Sequence, residues 1–322
     1  MLSAVARAKE IWQRFRASRW YRTVELGILT TSFALMFYAL AKNLSKVDLS
    51  AFQFNVGSFL IAVVLTWIAV WLGAISWAQV LQAIQPEVSQ ATSVRSHMLS
   101  ITTKYLPGFG WQQVSKVVQL KREPMPLQIT VSAAIVEFIL VIFTGLATAT
   151  RIFLTTRQEI FGFVIPGDFA AGFELMLWVA CLVLPLCWIL FQLKPFSPGM
   201  SAISYSWHML MTIIIQIIGW LFFGAGLWFA CYSIYPVDIS LLPYFAMSLI
   251  LSVVIGILVI VAPNGLGVRE LTMSTFLQVY IPLPVGVVVS LMSRFILILA
   301  EILAVLPFIL MRYLHNPKHK EN

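Results

Sequence analysis

The residues best placed to do chemistry are Arg269 and Glu270, which follow a helix breaker and two glycines within residues 262–270. About twenty apolar residues, 241–261, precede this stretch, and a further apolar run, 271–281, follows it. A charge at the bilayer centre costs roughly 2.5–3.5 kcal/mol on insertion scales, and a broken backbone there must be surrounded by protein or water. The stretch is either an extracytoplasmic turn with a surface ion pair or, as we favour, an interrupted helix whose N-terminus carries a functional charge pair.

A second interrupted apolar segment, residues 92–119, carries lysines and aromatic residues beside its own break. The helix after that break is expected to start near Trp111, with its unpaired amides and positive dipole end facing the break. Lys104 and Lys116 add cationic groups and Tyr105 adds an amphipathic ring, a combination that suits an anionic headgroup. The alternative is an interfacial turn whose lysines extend to water.

Both breaks are predicted from residues that interrupt a helix or that favour unusual backbone dihedrals. Proline lacks a backbone donor, and glycine and asparagine tolerate positive φ. The predicted structural breaks are Pro107, Gly108, Gly110, Pro263, Asn264, Gly265 and Gly267.

Arg269 falls in the first turn of the helix that follows the second break. A guanidinium there can hold a phosphate through two parallel hydrogen bonds, which a lysine does only as a point charge. Glu270 can hold Arg269 in place, or bind a proton or a counter-ion. We predict no catalytic residue, no metal site and no cofactor. The candidate substrate-binding residues are Arg269, Glu270, Lys104, Trp111, Lys116 and Tyr105.

Three further charges, Glu137, Arg294 and Glu301, lie inside long apolar segments. The last two are seven residues apart, so they share one helix face two turns apart and are too distant for a direct pair. Glu137 becomes the partner of Arg294 if their helices pack together. For each of the three, structural charge pairing and a functional role both remain open.

The composition indicates an integral membrane protein. The chain has 322 residues, of which 60% are hydrophobic and 11% are charged, whereas soluble domains carry roughly 25% charged residues. Cys181, Cys187 and Cys231 lie in apolar runs without metal-like spacing, so no disulfide is inferred. The sequence contains no HExxH, GxSxG or Walker A motif, which argues against the corresponding hydrolases and against ATP-driven transport.

The hydropathy pattern predicts an all-α polytopic membrane protein with about 7–8 transmembrane helices plus re-entrant or broken helices. A basic, aromatic-rich segment, 1–23, is expected to lie on the membrane surface, and the apolar run after it to be retained as a helix. Residues 24–313 then form one transmembrane domain, and residues 314–322 form a tail. The predicted helices are 24–41, 55–81, 127–149, 173–192, 207–234, 241–262 and 285–312, and the shorter interrupted segments are 92–119 and 268–281.

The distribution of Lys and Arg predicts that both termini are cytoplasmic, since fifteen of these residues fall on that side and four on the outer side. A shift of about 158 residues superimposes the two breaks and the long helices around them. The chain would then contain two inverted halves, about 24–150 and 173–312, with helix, helix, broken unit and helix in each. Paired broken segments in inverted halves are typical of a transport site at the membrane midplane.

These motifs resemble those of the transmembrane domain family of lysylphosphatidylglycerol synthases, a broad group often labelled flippase-like. The resemblance spans nearly the whole chain and departs from the family at Lys116, where Arg is usual, and at Asn264, where Gly is common. It is carried by Tyr105-Leu106-Pro107-Gly108 with Trp111 and a basic residue at 116, by Glu137, by residues 263–270, and by Arg294 and Glu301.

The resemblance implies lipid handling. The leading hypothesis is a non-enzymatic flippase or transporter that moves an anionic, aminoacylated or glycosylated lipid across the cytoplasmic membrane, passively or coupled to an ion. Glu137, Glu270 and Glu301 are then candidate proton carriers. The alternatives are a polyprenyl-phosphate-dependent glycosyltransferase and a membrane-embedded partner of such an enzyme or of a lipid synthase. No nucleic acid partner is expected, and no aminoacyl transferase activity, since its soluble domain has no counterpart after Tyr313.

Overall fold

The computed structural model describes residues 54–105, 110–120, 126–156, 167–192, 202–259 and 265–314. These ranges are helical apart from short connections and contain no β-strand. The predicted segment 1–23 and helix 24–41 lie outside them, as does the predicted tail beyond residue 314. Short 3-10 helices occupy Thr102–Tyr105 and Ile239–Leu241. The α-helices are α1 (Val56–Ile84), α2 (Gln90–Ile101), α3 (Trp111–Gln119), α4 (Leu127–Thr156), α5 (Gly167–Gln192), α6 (Ala202–Tyr232), α7 (Leu242–Leu258), α8 (Val268–Leu277) and α9 (Leu283–Leu314).

Five helical segments in the described part of the chain are long and apolar enough to cross a membrane. They lie in α1, α4, α6, α7 with its preceding 3-10 helix, and α9, and each coincides with a predicted helix. The predicted helix 173–192 is α5, a 26-residue helix. The predicted helix 241–262 was too long, because α7 ends at Leu258 and the backbone of Val259 leaves the helical region.

The helix α4 continues to Thr156, seven residues beyond its predicted end at 149. In its polar C-terminal part, threonine hydroxyls donate to backbone carbonyls one turn back. Thr148 bonds the carbonyl of Thr144 at 2.7 Å, and Thr150 bonds that of Leu146 at 2.8 Å. Local side-chain bonds of this kind satisfy polar groups without ending a helix.

Small residues let the central helices approach closely. A Cβ at Gly224 in α6 would lie 2.3 Å from the Cβ of Ala246 in α7, and one at Gly226 would lie 2.8 Å from the hydroxyl of Thr66 in α1. Helices in membranes associate through such close contacts, because lipid supplies no hydrophobic force between them. The helix α6 is thereby fixed between α1 and α7.

Both predicted interruptions coincide with helix ends. The first segment divides into α2, a 3-10 helix and α3, and the second ends α7 before α8 begins. Gly110 (φ 81°) and Gly267 (φ 78°) immediately precede α3 and α8, and Gly265 (φ 65°) lies just before Gly267. These three predicted breaks therefore need glycine. The other predicted breaks, Pro107, Gly108, Pro263 and Asn264, lie outside the described residues.

The helix contacts have a regular pattern around the two interrupted units. The unit α2–α3 packs against α1 and α4, and its first limb also contacts α9. In the same way, the unit α7–α8 packs against α6 and α9, and its first limb also contacts α4. These contacts are therefore preserved when helices α1 to α4 are exchanged, one for one, with helices α6 to α9. The two interrupted units face each other across a shared cavity.

Candidate functional site

A cavity of about 270 Å³ lies between the two interrupted units. Both units contribute to its wall, together with α1, α4 and α6. We call it the charged cavity, because two lysines and a carboxylate line it. Its lining includes His97, Lys104, Gly110, Trp111, Gln113, Lys116, Glu137, Gln216, Gly256 and Gly265.

The first charged group of this cavity is an ion pair between α3 and α4. The ammonium of Lys116 donates to Oε1 of Glu137 at 2.6 Å, and Gln113 donates to Oε2 at 3.2 Å. Lys116 is 1% exposed and Glu137 is 4% exposed. The ammonium also lies 4.6 Å from the ring centre of Trp77, within the range of a cation–π contact. This pair fastens the short helix α3 to the long helix α4.

His97 is a site residue that the sequence analysis did not single out. Its Nδ1 lies 3.8 Å from Oε1 of Glu137, and its side chain is buried. The imidazole also lies beside Gly73, where an added Cβ would be 3.7 Å away. A lone histidine near a helix end gives no sequence signal for such a contact, because Glu137 is forty residues further along the chain.

The second charged group links the end of the first interrupted unit to α9. Glu301 accepts a hydrogen bond from the ammonium of Lys104 and another from the hydroxyl of Tyr105, the latter at 2.7 Å. The ammonium also lies 5.3 Å from the ring centre of Tyr105. Lys104 lines the charged cavity. Two candidate substrate-binding residues are therefore held by a buried carboxylate from the other half of the chain.

The third charged group fixes the start of α8. One carboxylate oxygen of Glu270 accepts the backbone N–H of Gly267 at 2.7 Å, and the other lies 3.2 Å from Nε of Arg294 in α9. A carboxylate at a helix N-terminus satisfies a free amide and interacts favourably with the helix dipole. Glu270 therefore joins the glycine turn, α8 and α9.

Two partnerships that the sequence left open are replaced by others. Glu137 pairs with Lys116 and not with Arg294, because α4 presents it to the adjacent α3. Glu270 holds Gly267 and Arg294 and forms no ion pair with its neighbour Arg269. Adjacent residues on a helix point in different directions, so Arg269 and Glu270 face different surroundings. The sequence predicted that Arg294 and Glu301 do not pair directly. In the structure Arg294 pairs with Glu270, and Glu301 pairs with Lys104.

Arg269 is in the first turn of α8, as predicted, and is 5% exposed. Within the described residues it is paired with no carboxylate, and its Nη2 atom has no hydrogen-bond partner. Its Cζ lies 5.3 Å from the ring centre of Phe223 in α6. A Cβ added at Gly256 would lie 3.4 Å from the Cβ of Arg269. Because Gly256 lines the charged cavity, Arg269 lies directly behind that part of the wall.

The buried charges do not balance. In the described part of the site, each of the three carboxylates is matched by a cation: Glu137 by Lys116, Glu270 by Arg294 and Glu301 by Lys104. Arg269 is the additional cation, and it sits at the positive end of a helix dipole. A buried charge without a partner is costly. The site therefore favours the binding of an anion.

Trp111, also predicted to bind substrate, is the first residue of α3 and lines the charged cavity. Gln113 and Gln216 were not predicted from the sequence, since a single glutamine in a helix carries no distinctive pattern. In the described ranges, no group of three or more His, Cys, Asp or Glu residues is placed to hold a metal ion. Cys181 and Cys231 are free and buried.

Long apolar helices around a charged cavity define this chain as an all-helical integral membrane protein. Within that class, it belongs to the lysylphosphatidylglycerol synthase TM region family, whose sequence profile matches residues 24–304. The resemblance inferred from the interrupted segments is thus confirmed. A search of curated proteins found no match to the chain.

Proposed function

We propose that this protein binds a membrane lipid by its anionic headgroup in the charged cavity and moves it between the leaflets of the cytoplasmic membrane. The lipid is an anionic phospholipid or an aminoacylated or glycosylated derivative of one. The observation that carries the proposal is the buried guanidinium of Arg269, which has no carboxylate partner among the described residues and an unused Nη2 donor. The Cβ of Arg269 lies behind the cavity wall at Gly256, and its Cζ lies 5.3 Å from the ring centre of Phe223.

The chemistry of the cavity suits a phosphate group. A guanidinium binds phosphate through parallel hydrogen bonds, and its charge is offset only when an anion is present. Lys104 and Lys116 line the same cavity but are each held by a carboxylate. A phosphate that enters the cavity therefore competes with Glu301 and Glu137 for these two lysines. Because each lysine can pair with its carboxylate again, the phosphate can be released after transport.

We further propose that the two halves are an inverted repeat with 7–8 membrane crossings and both termini in the cytoplasm. Support comes from a constant spacing of 157 residues between equivalent features. It separates Gly110 from Gly267, each with positive φ before a short helix. The same spacing separates Glu137 from Arg294, each of which holds an opposite charge on that short helix. The charged cavity is then accessible alternately from either side.

This orientation is tested by labelling exposed positions. Glu87, in the turn after α1, belongs to the cytoplasmic side, and Asp238, before α7, belongs to the outer side; both are exposed. We expect a membrane-impermeant maleimide to label Asp238→Cys on intact cells and Glu87→Cys only after permeabilisation. Labelling of both positions on intact cells would contradict the topology. The buried Cys181 and Cys231 provide little background.

The transport proposal is tested in liposomes of phosphatidylcholine that contain a trace of fluorescent phosphatidylglycerol. We expect the wild-type protein to expose inner-leaflet label to an external quencher, and Arg269→Ala to reduce this rate at least tenfold. Arg269→Lys keeps the charge but loses the parallel hydrogen bonds, so we expect an intermediate rate. The exposed Arg151→Ala is the matched control. Equal flipping rates for the wild type and Arg269→Ala would refute the role of Arg269 in headgroup binding. Binding of the headgroup without flipping would instead favour a membrane-embedded partner of a glycosyltransferase or lipid synthase.

A further inference from the structure

We propose that a second cavity, next to the charged cavity, holds the part of the lipid's hydrocarbon chain nearest its headgroup; this inference rests on the proposed function. The second cavity has a volume of about 170 Å³ and is lined by residues of α1, α4, α6 and α9. We call it the apolar chamber, because apart from Thr66 and Gln216 its lining residues are apolar. An apolar cavity excludes ions and accepts apolar groups.

The apolar chamber and the charged cavity adjoin, since Gly73, Val141 and Gln216 line both. The amide of Gln216 makes two hydrogen bonds within the protein. It donates to the hydroxyl of Ser76 at 3.0 Å and accepts from that of Thr144 at 3.0 Å. The polar side chain shared by the two linings is therefore already hydrogen-bonded at both ends of its amide. A molecule with one anionic end and one hydrocarbon end matches the two cavities together.

Arg269 lines neither cavity but lies next to one lining residue of each. Its Cβ lies behind Gly256, which lines the charged cavity, and its guanidinium lies over the ring of Phe223, which lines the apolar chamber. A phosphate bound by Arg269 consequently has its attached chain next to the apolar chamber. This placement selects a phosphate that carries a hydrocarbon chain, such as a membrane phospholipid, over free inorganic phosphate.

Gly219 allows the two cavities to be tested separately. It lines the apolar chamber but not the charged cavity. A Cβ at this position would meet only the Cβ of Leu72, at an ordinary contact distance of 3.6 Å, among the described residues. The backbone therefore admits a side chain, and Gly219→Leu fills chamber volume. Gly172→Leu in α5 is the matched control, because a Cβ there has no atom within 4 Å.

The experiment is equilibrium dialysis of inorganic phosphate, butyl phosphate and octyl phosphate against protein in phosphatidylcholine nanodiscs, with empty nanodiscs subtracted. The wild type and Gly172→Leu are expected to bind the alkyl phosphates more tightly as the chain lengthens, by up to about fourfold per added methylene until the apolar chamber is full. In Gly219→Leu, octyl phosphate is expected to bind about tenfold more weakly, with inorganic phosphate unchanged. Equal chain-length dependence in all three proteins would overturn the inference but leave the headgroup site in place. A wild type that binds no probe would refute the proposed function itself.

A second measurement uses the unmodified protein, so it does not depend on the folding of a variant. An octyl phosphate with a photoreactive diazirine at its terminal carbon is cross-linked in nanodiscs, and the labelled peptides are identified by mass spectrometry. We expect labelling within residues 66–73 of α1 and 215–223 of α6, and its loss with excess unlabelled octyl phosphate. Labelling confined to outward-facing residues, such as Phe295 and Ile302 of α9, would place the chain in the bilayer and overturn the inference.

Discussion

Removing either partner of the Lys116–Glu137 pair is expected to destabilise the protein more than removing both. The two groups are joined at 2.6 Å, and each is almost fully buried. Breaking a buried ion pair from one side costs about 3–5 kcal/mol, whereas replacing both partners by apolar groups of similar volume is close to neutral. Lys116→Met and Glu137→Met are therefore expected to lose about 3 kcal/mol or more of unfolding free energy each. The double variant is expected to recover most of this loss.

The measurement is equilibrium unfolding of the purified variants in detergent micelles, analysed as a double-mutant cycle. The pair Arg151–Glu174 is the control, since its charges lie 3.9 Å apart and the Arg151 side chain is 66% exposed. Substitution of the exposed Arg151 is expected to cost at most about 1 kcal/mol. If the unfolding free energy of Lys116→Met lies within about 1 kcal/mol of the wild-type value, the two charges do not compensate each other in a buried site and the prediction is wrong.

The same double variant separates the structural and functional roles that the sequence left open for Glu137. If the pair serves the fold alone, restored stability brings restored lipid flipping. If Lys116 receives the headgroup, as we propose, the double variant is stable but flips fluorescent phosphatidylglycerol at least tenfold more slowly than the wild type. The liposome assay decides between these two outcomes.

Two further predictions concern the glycine turns and the carboxylate of α9. Gly265→Ala is expected to disrupt the fold, since its Cβ would lie 2.7 Å from the Cα of Gly256. In Gly110→Ala the new Cβ meets no atom of the described residues within 4 Å, so this variant bears only the left-handed backbone strain of roughly 1–2 kcal/mol. Equal losses of stability for the two variants on thermal unfolding would contradict this prediction. Tyr105→Phe leaves Oε2 of Glu301 without the hydroxyl that donates to it at 2.7 Å. We therefore expect a loss of about 1.5–3 kcal/mol in unfolding free energy. Unchanged stability would show that this hydrogen bond contributes nothing.

Local features of the molecule were largely predictable from the sequence. The start of α3 at Trp111 and of α8 next to Arg269 agreed with prediction, because glycine and proline act on the backbone within a residue or two. The long helices agreed as well, since their apolar length is a direct consequence of the solvent around them. Several helix end points differed from prediction: α5 and α6 begin earlier, α4 ends later, and α7 is shortened by the turn that follows Leu258.

The partners of the charged residues were not predictable in the same way. Glu137 accepts from Lys116, 21 residues away, while Glu301 accepts from Lys104, 197 residues away. Both carboxylates are equally plausible partners for several cations when only helix positions are known. The choice depends on the rotation and crossing of helices, which are set by close contacts such as that of Gly224 with Ala246.

The sequence by itself determined that this chain is a helical membrane protein of its family, with two interrupted segments that carry charge. Hydrophobic length and backbone-restricting residues act locally, so they can be recognised without knowing the fold. Only the tertiary structure decided that, in the part of the chain it describes, three carboxylates neutralise three cations and Arg269 is left without a carboxylate partner next to the cavity wall. That outcome depends on which helix faces are in contact, and charge compensation in a buried site is a property of the packed assembly rather than of any one segment.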